Sequence, residues 1–335
     1  MRLFFYIILI LMPLRMAAKT SLATANIVDE HHILQLLDSY VDRRDDFVKQ
    51  KEAKINKLKL KLRTADNNTS RLAILNSIYH EYYTYSYDSA MVYVNRGLDL
   101  AQAINNPHYI TLNRINRAAV LSTGGFYSQA EMLLQEIGAK GVPANLKQYY
   151  HYTQTWLYNY WESFCSKSEF ASLCHKKKIE YLQLTVDATS PRDVALHAYL
   201  SGELAFMGNP LSKTVLKLYA AALDNSPVDS RVHASAAYCV ARYYREMGDM
   251  LLYEKYIVEA AISDMVCPLK ENLALQEFST YLYKKDPKYA DRAARYIYCS
   301  MEDARFYNNR LRMLEISNIL PIIATANQEA LAHKE

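Results

Sequence analysis

Few residues in this 335-residue chain stand where chemistry would need them. His80-Glu81 opens like the zinc-protease motif HExxH, but Thr84 occupies the position of the second histidine, so no such zinc site forms. Cys174-His175 has no partner pair at zinc-ligand spacing, and His151, His197 and His233 share no ligand spacing either. The eight glycines never fall into GxGxxG, a P-loop or the GxSxG elbow, which removes the standard phosphate cradles and serine hydrolase turns. Asp42, Asp45 and Asp46 belong to a charged helical face and make no catalytic pair. The expectation is a protein without catalytic residues, cofactor or metal. What remains is recognition chemistry. Arg242 and Arg245, three apart on one helical face, have the spacing to clasp a carboxylate; ion pairing with Glu246 or a neighbouring helix is the equal alternative. Two aromatic clusters stand above background: Tyr79, Tyr82, Tyr83, Tyr85 and Tyr87, then Tyr149, Tyr150, Tyr152, Trp156, Tyr158, Tyr160 and Trp161. Tyrosine joins a rigid face to a hydroxyl, which suits interfaces, though helix stacking claims some two thirds of these rings by expectation.

The elements that must carry these residues are helical. Eight Gly and nine Pro are about half of what average usage predicts, too few for the corners of a sandwich, barrel or doubly wound sheet. A 51% hydrophobic, 22% charged composition is globular. From His31 to Arg63 the period predicts one long helix, with Leu34, Val41, Val48, Ile55 and Leu62 seven apart and Leu37 and Leu58 at the companion position. Arg44 and Lys51 interrupt that companion row, so packing on a neighbouring helix is favoured over a homodimer through residues 31–63. Its end, rich in lysine, reads as a solvated basic face. Beyond the polar break 64–70, breaks at Ser86-Tyr87, Asn106-Pro107, Gly124-Gly125, Gly138 to Pro143, Ser190-Pro191, Gly208 to Pro210, Ser226-Pro227, Gly248-Asp249, Cys267-Pro268 and Asp286-Pro287 leave segments of 14–20 residues, about fourteen helices in all.

The segments repeat. Ala118, Leu121, Gly125, Tyr127, Ala130, Leu134 and Ile137 fit the tetratricopeptide pattern, as do Val240, Ala241, Tyr244, Gly248-Asp249, Ile257 and Ala260. Weaker matches lie around Ala90 to Gly97 and Gly202 to Ala221. The fold class is therefore all-α, a tetratricopeptide-like α-solenoid of antiparallel helix pairs with a long N-terminal helix. Four stretches, LLDSYVDRRDDFVKQKEAKINKLK (36–59), YSYDSAMVYVNRGLDLA (85–101), TGGFYSQAEMLLQEI (123–137) and SMEDARFYNNRLRMLEISNILPII (300–323), carry a resemblance. The chain resembles the exported N-terminal part of a family of tetratricopeptide membrane proteins of Gram-negative bacteria, labelled a domain of unknown function or a regulator. The resemblance implies that residues 307–335 lead towards a transmembrane helix outside these 335 residues. It brings no catalytic residues.

The N-terminus adds a compartment. A short positive start, the apolar run Leu3–Leu14 and the small residues ending at Ala25 read as a signal peptide of residues 1–25. Its removal takes Arg2, Arg15 and Lys19 and no acidic residue, bringing the net charge from +4 to +1, which gives no reason to invoke nucleic acid. The domain layout is then a leader over 1–25, a basic helix over 26–69, repeats over 70–306 and a closing helix over 307–335. Pro321 is expected to kink or end that helix. Five cysteines cannot all pair; burial is favoured over a Cys165–Cys174 bridge.

Helix-pair solenoids bind along the concave side, lined by the first helix of each pair. By repeat position the candidates are Tyr79, Tyr82, Tyr199, Glu203, Tyr238, Arg242 and Arg245, joined by Tyr152, Trp156 and Asn159 from a less regular helix. The expected function is a periplasmic protein- or peptide-binding module, the sensing part of a membrane-associated regulator. Its partner would be a protein or peptide of the cell envelope, with membrane association through an uncleaved N-terminus or a C-terminal segment. The alternative is a scaffold that self-assembles through residues 31–63 and takes no separate ligand.

Overall fold

The computed structural model describes residues 30–270 and 273–332. The leader assigned to residues 1–25 lies outside them. Among the described residues there are fifteen α-helices and no strand. They are α1 (Glu30–Asp42), α2 (Arg44–Arg63), α3 (Asn68–Tyr83), α4 (Tyr87–Ala103), α5 (Pro107–Thr123), α6 (Tyr127–Ala139), α7 (Lys147–Phe164) and α8 (Phe170–Ala188). There follow α9 (Val194–Gly208), α10 (Lys213–Asp224), α11 (Arg231–Met247), α12 (Met250–Val266), α13 (Ala274–Lys285), α14 (Ala290–Tyr307) and α15 (Arg310–Ala332).

Local sequence explains the ends. Asn67 accepts from Ser70 N at 2.8 Å and Asn106 from Tyr109 N at 3.1 Å, the latter with Pro107 in the first turn. Asp193, Ser212, Ser230 and Asp249 cap α9 to α12 in the same way. Gly248 closes α11 at φ +77°, with nothing within 4 Å of where a Cβ would stand. Gly248→Ala is therefore a purely conformational change, expected to cost about 1–2 kcal/mol. Gly208→Ala, which meets open space at ordinary φ, should cost nothing. Thermal unfolding of the two variants checks the contrast.

From α3 to α14 the helices pair antiparallel, α3 with α4 through α13 with α14, and the first helices of neighbouring pairs touch: α3 with α5, α5 with α7, α9 with α11. First helices therefore line the inner side. Close approach within a pair depends on small residues. A Cβ on Gly202 would stand 2.6 Å from the Tyr219 ring, so α9 and α10 pack through that glycine.

The superhelix closes on itself. Tyr307 of the last pair donates to the Tyr83 carbonyl at 2.8 Å and to Thr123 Oγ1 at 2.7 Å, on the first two pairs. Arg310 lies 4.4 Å over the Phe126 ring, and Lys270 N donates to the Thr84 carbonyl at 2.8 Å. The concave side is consequently a channel bridged by contacts between the last pair and the first two.

Two expectations are corrected. Residues 31–63 form two helices broken at Arg43 (ψ 4°), because the two halves dock on different parts of the superhelix. The α1 half packs on α12, and its Asp38 meets Arg292 at 2.8 Å and Tyr296 at 2.7 Å on α14. The α2 half lies on α3, where Ile55 is fully buried with Ile78 and Tyr79. The heptad seam is thus spent inside the chain: Leu34, Leu37, Val41 and Ile55 are buried, worth roughly 8 kcal/mol together. Pro321 does not end the closing helix, since α15 runs to Ala332 with Pro321 on its exposed side. Two further breaks carry neither Gly nor Pro, Cys165–Glu169 between α7 and α8 and the left-handed Asn308 before α15. The five cysteines are free thiols, Cys174 and Cys239 buried. No described helix is long and apolar enough to cross a membrane.

Candidate functional site

The channel is lined by α3, α7, α9, α11 and α13 with the start of α15, and its charges form a rail of internal ion pairs. On α9, Glu203 accepts from Tyr219 Oη at 2.6 Å and from Cys239 at 3.2 Å, and is bridged to Arg242 of α11. Burial would raise the Glu203 pKa, but Arg242, Tyr219 and Cys239 outweigh it and hold the carboxyl below its ordinary value. Arg242 also donates to Tyr219 Oη at 2.8 Å and stacks 3.8 Å over the Phe206 ring. One turn on, Arg245 bridges to Glu277 of α13, which also accepts from Tyr238 at 2.7 Å and Tyr253 at 3.3 Å. The rail ends on α15, where Arg312 donates to Glu315 at 2.6 Å and Gln276 reaches the same carboxylate at 3.4 Å.

The other half of the channel is aromatic. Tyr79 and Tyr149 share a hydrogen bond of 3.0 Å, and burial pushes both hydroxyls well above their ordinary pKa. Tyr152 meets Trp156 edge-on with centroids 6.0 Å apart. Arg231, in the first turn of α11, crosses the channel to lie 5.3 Å over Tyr83 and 5.6 Å over Trp156.

The sequence-derived candidates divide accordingly. Tyr152, Trp156, Tyr199, Glu203, Tyr238, Arg242 and Arg245 lie on the helices that line the channel, Tyr199 fully covered at 3% exposure and Arg245 the most open of the charged ones. Asn159 is half-buried on α7, one turn beyond Trp156. Tyr79 is buried beneath the channel wall and offers a partner nothing directly. Tyr82 faces the other way, stacked on Tyr93 and covered by Lys59 of α2. Arg242 and Arg245 do not clasp one carboxylate; each pairs with a different neighbouring helix, and the Glu246 contact of Arg245 is a long 3.8 Å. Arg231, Glu277, Gln276, Arg312 and Glu315 were missed. The i,i+3 pair Arg312/Glu315 stands in the stretch 300–323 that carried the resemblance, and was the available signal.

Four buried polar atoms on these lining helices lack a partner among the described residues: Trp156 Nε1, Arg242 Nε, Gln276 Oε1 and Arg312 Nε. Only eight such side-chain atoms occur in the described chain, so half of them gather on the rail and its aromatic end. Each costs about 1–3 kcal/mol if nothing meets it. Among the described residues no group of three or more potential ligands could hold a metal ion.

Residues 41–318 match the family model described as the SusR N-terminal TPR domain. No curated protein matches the chain. Tetratricopeptide domains are generally non-catalytic protein-interaction modules. The chain belongs to the SusR N-terminal TPR domain family.

Proposed function

We propose that this domain is a periplasmic protein- or peptide-binding module, the sensing part of a membrane-associated regulator, that reads its partner along the channel rail. The observation that carries the reading is the gathering of unpartnered donors and an acceptor at Trp156, Arg242, Gln276 and Arg312. A peptide backbone supplies both carbonyls and amides, and the flanking tyrosines supply flat faces for its side chains. The compartment rests on the apolar leader of residues 1–25 and the family resemblance.

Capture from envelope extract tests the reading. Arg245→Gln combined with Asn159→Ala should remove most of the captured partner while leaving the thermal midpoint within a few degrees, because both side chains keep substantial exposure. Undiminished capture by the folded variant would move the site away from the rail. The scaffold alternative predicts self-association dependent on α1 and α2. The burial of their seam within the chain speaks against it, and sedimentation of the intact protein distinguishes the two.

A further inference from the structure

A groove of about 940 Å³ is lined by α10 and by the turn that joins α11 to α12, and none of its lining side chains belongs to the rail or to the aromatic half of the channel. That size is at the upper end of small-ligand sites. Leu216 and Tyr244 form a half-buried floor, the Tyr244 ring stacked on Tyr256 with centroids 5.6 Å apart. Met247 and Leu251 line it at 54% and 46% exposure, so large apolar side chains stand open to water. The charged lining is Lys213, Lys217 and Asp249. Asp249 is committed elsewhere: its carboxylate caps α12 by accepting from Leu252 N at 3.1 Å, at the positive end of that helix. The carbonyls that end α11 are met by the amides of Gly248 and Asp249. Lys213 and Lys217, one turn apart on α10, are exposed and have neither an ion pair nor a hydrogen bond among the described residues.

These features define a ligand. The turn satisfies its own amides and carbonyls, so they are not free to pair with an extended peptide. What remains is a surface of aliphatic and thioether side chains, which adapt to a flexible tail, beside two cations without a counter-charge. We propose that this groove binds a long-chain aliphatic carboxylate, its head between Lys213 and Lys217 and its tail along Leu216, Met247 and Leu251. Covering the exposed apolar side chains supplies most of the affinity, and the lysines set the orientation and the choice of an anionic head. Tyr244 contributes a neutral hydroxyl, since burial raises its pKa. Binding here is independent of peptide recognition in the channel.

The test uses the full chain and calorimetry with decanoate, decanol, decyltrimethylammonium and hexanoate, each below its micellar concentration. Decanoate is expected to bind about tenfold more tightly than decanol, the worth of two exposed lysines, and more tightly still than the ammonium. Hexanoate, with its shorter tail, should bind at least about tenfold more weakly than decanoate. Lys213→Gln combined with Lys217→Gln should bring decanoate down to the level of decanol. Met247→Glu, at an exposed position, should weaken decanoate by about tenfold while the thermal midpoint stays in place. Arg245→Gln, on the rail, should change nothing. Equal binding of acid, alcohol and ammonium, binding of none, or full affinity in the lysine double variant overturns the proposal. Self-association in sedimentation that Met247→Glu abolishes would assign the groove to a second copy, and a loss in Arg245→Gln would place the acid in the channel; either overturns it too. Capture through Arg245 and Asn159 reads the channel alone, so failure there and failure here are distinguishable.

Discussion

Arg242→Met is expected to destabilise the protein by about 3–5 kcal/mol, read as a lower urea midpoint at unchanged slope. Glu203 is 17% exposed and takes its bonds from Arg242, Tyr219 and Cys239. With the guanidinium gone, its carboxylate stays in the wall without a counter-charge, and that orphaned charge supplies most of the cost. The double variant Glu203→Met/Arg242→Met should recover most of the loss, because two packed apolar side chains leave no charge behind. The pair also sets an acid dependence. The folded pKa of Glu203 is depressed, so its stabilisation is present above the ordinary carboxylate range, about pH 4.3, and is lost as pH falls through the folded value. Arg242→Met should flatten that acid limb. A loss under about 1 kcal/mol would mean that water, not Arg242, holds the carboxylate.

Tyr307→Ala carries the second large effect, about 3–5 kcal/mol for a fully buried ring, against about 1–3 kcal/mol for Tyr307→Phe, which removes only the hydroxyl. The consequence is not local. A helix-pair array ordinarily couples only nearest neighbours, so its two ends unfold independently. Here Tyr307 bonds residues 224 and 184 positions away, joining the last pair to the first two. Loss of the ring should release the amides of α3 and of α14 to faster hydrogen exchange, while α9 and α10 keep their protection. Uniform acceleration across all helices would contradict the closed superhelix.

How much of this was legible beforehand depends on the range of the interactions. Turn residues announce themselves locally, so Asn106-Pro107 and Gly248-Asp249 fall at true helix ends. Helix identity and the pairing pattern follow from periodicity and small residues such as Gly202. The break at Arg43 has no local signal, because neither Gly nor Pro stands there; it comes from α1 seeking α12 and α14 while α2 seeks α3. Pro321 misled in the opposite direction: a lost backbone bond on an exposed helix face was tolerated while Ile316 and Ile323 stayed buried on the other. For the site, repeat position pointed to Glu203, Arg242 and Arg245, which the structure places in one rail of ion pairs with Glu277. It could not foresee that the superhelix closes, which covers Tyr79 and brings Arg231 and Arg312 into the channel from elements distant in sequence. Tyr82 was misplaced because repeat position does not show which face of α3 is covered by α2.

The central claim is that recognition takes place in the channel and not on the outer helices. A photo-reactive amino acid placed singly at Asn159, half-buried on α7, and at Val92 or Met132, exposed on α4 and α6, tests it in cells. Irradiation should join the Asn159 variant to a discrete envelope partner, and Arg245→Gln in the same chain should weaken that band. Strong cross-links from Val92 or Met132 with none from Asn159 would contradict the account.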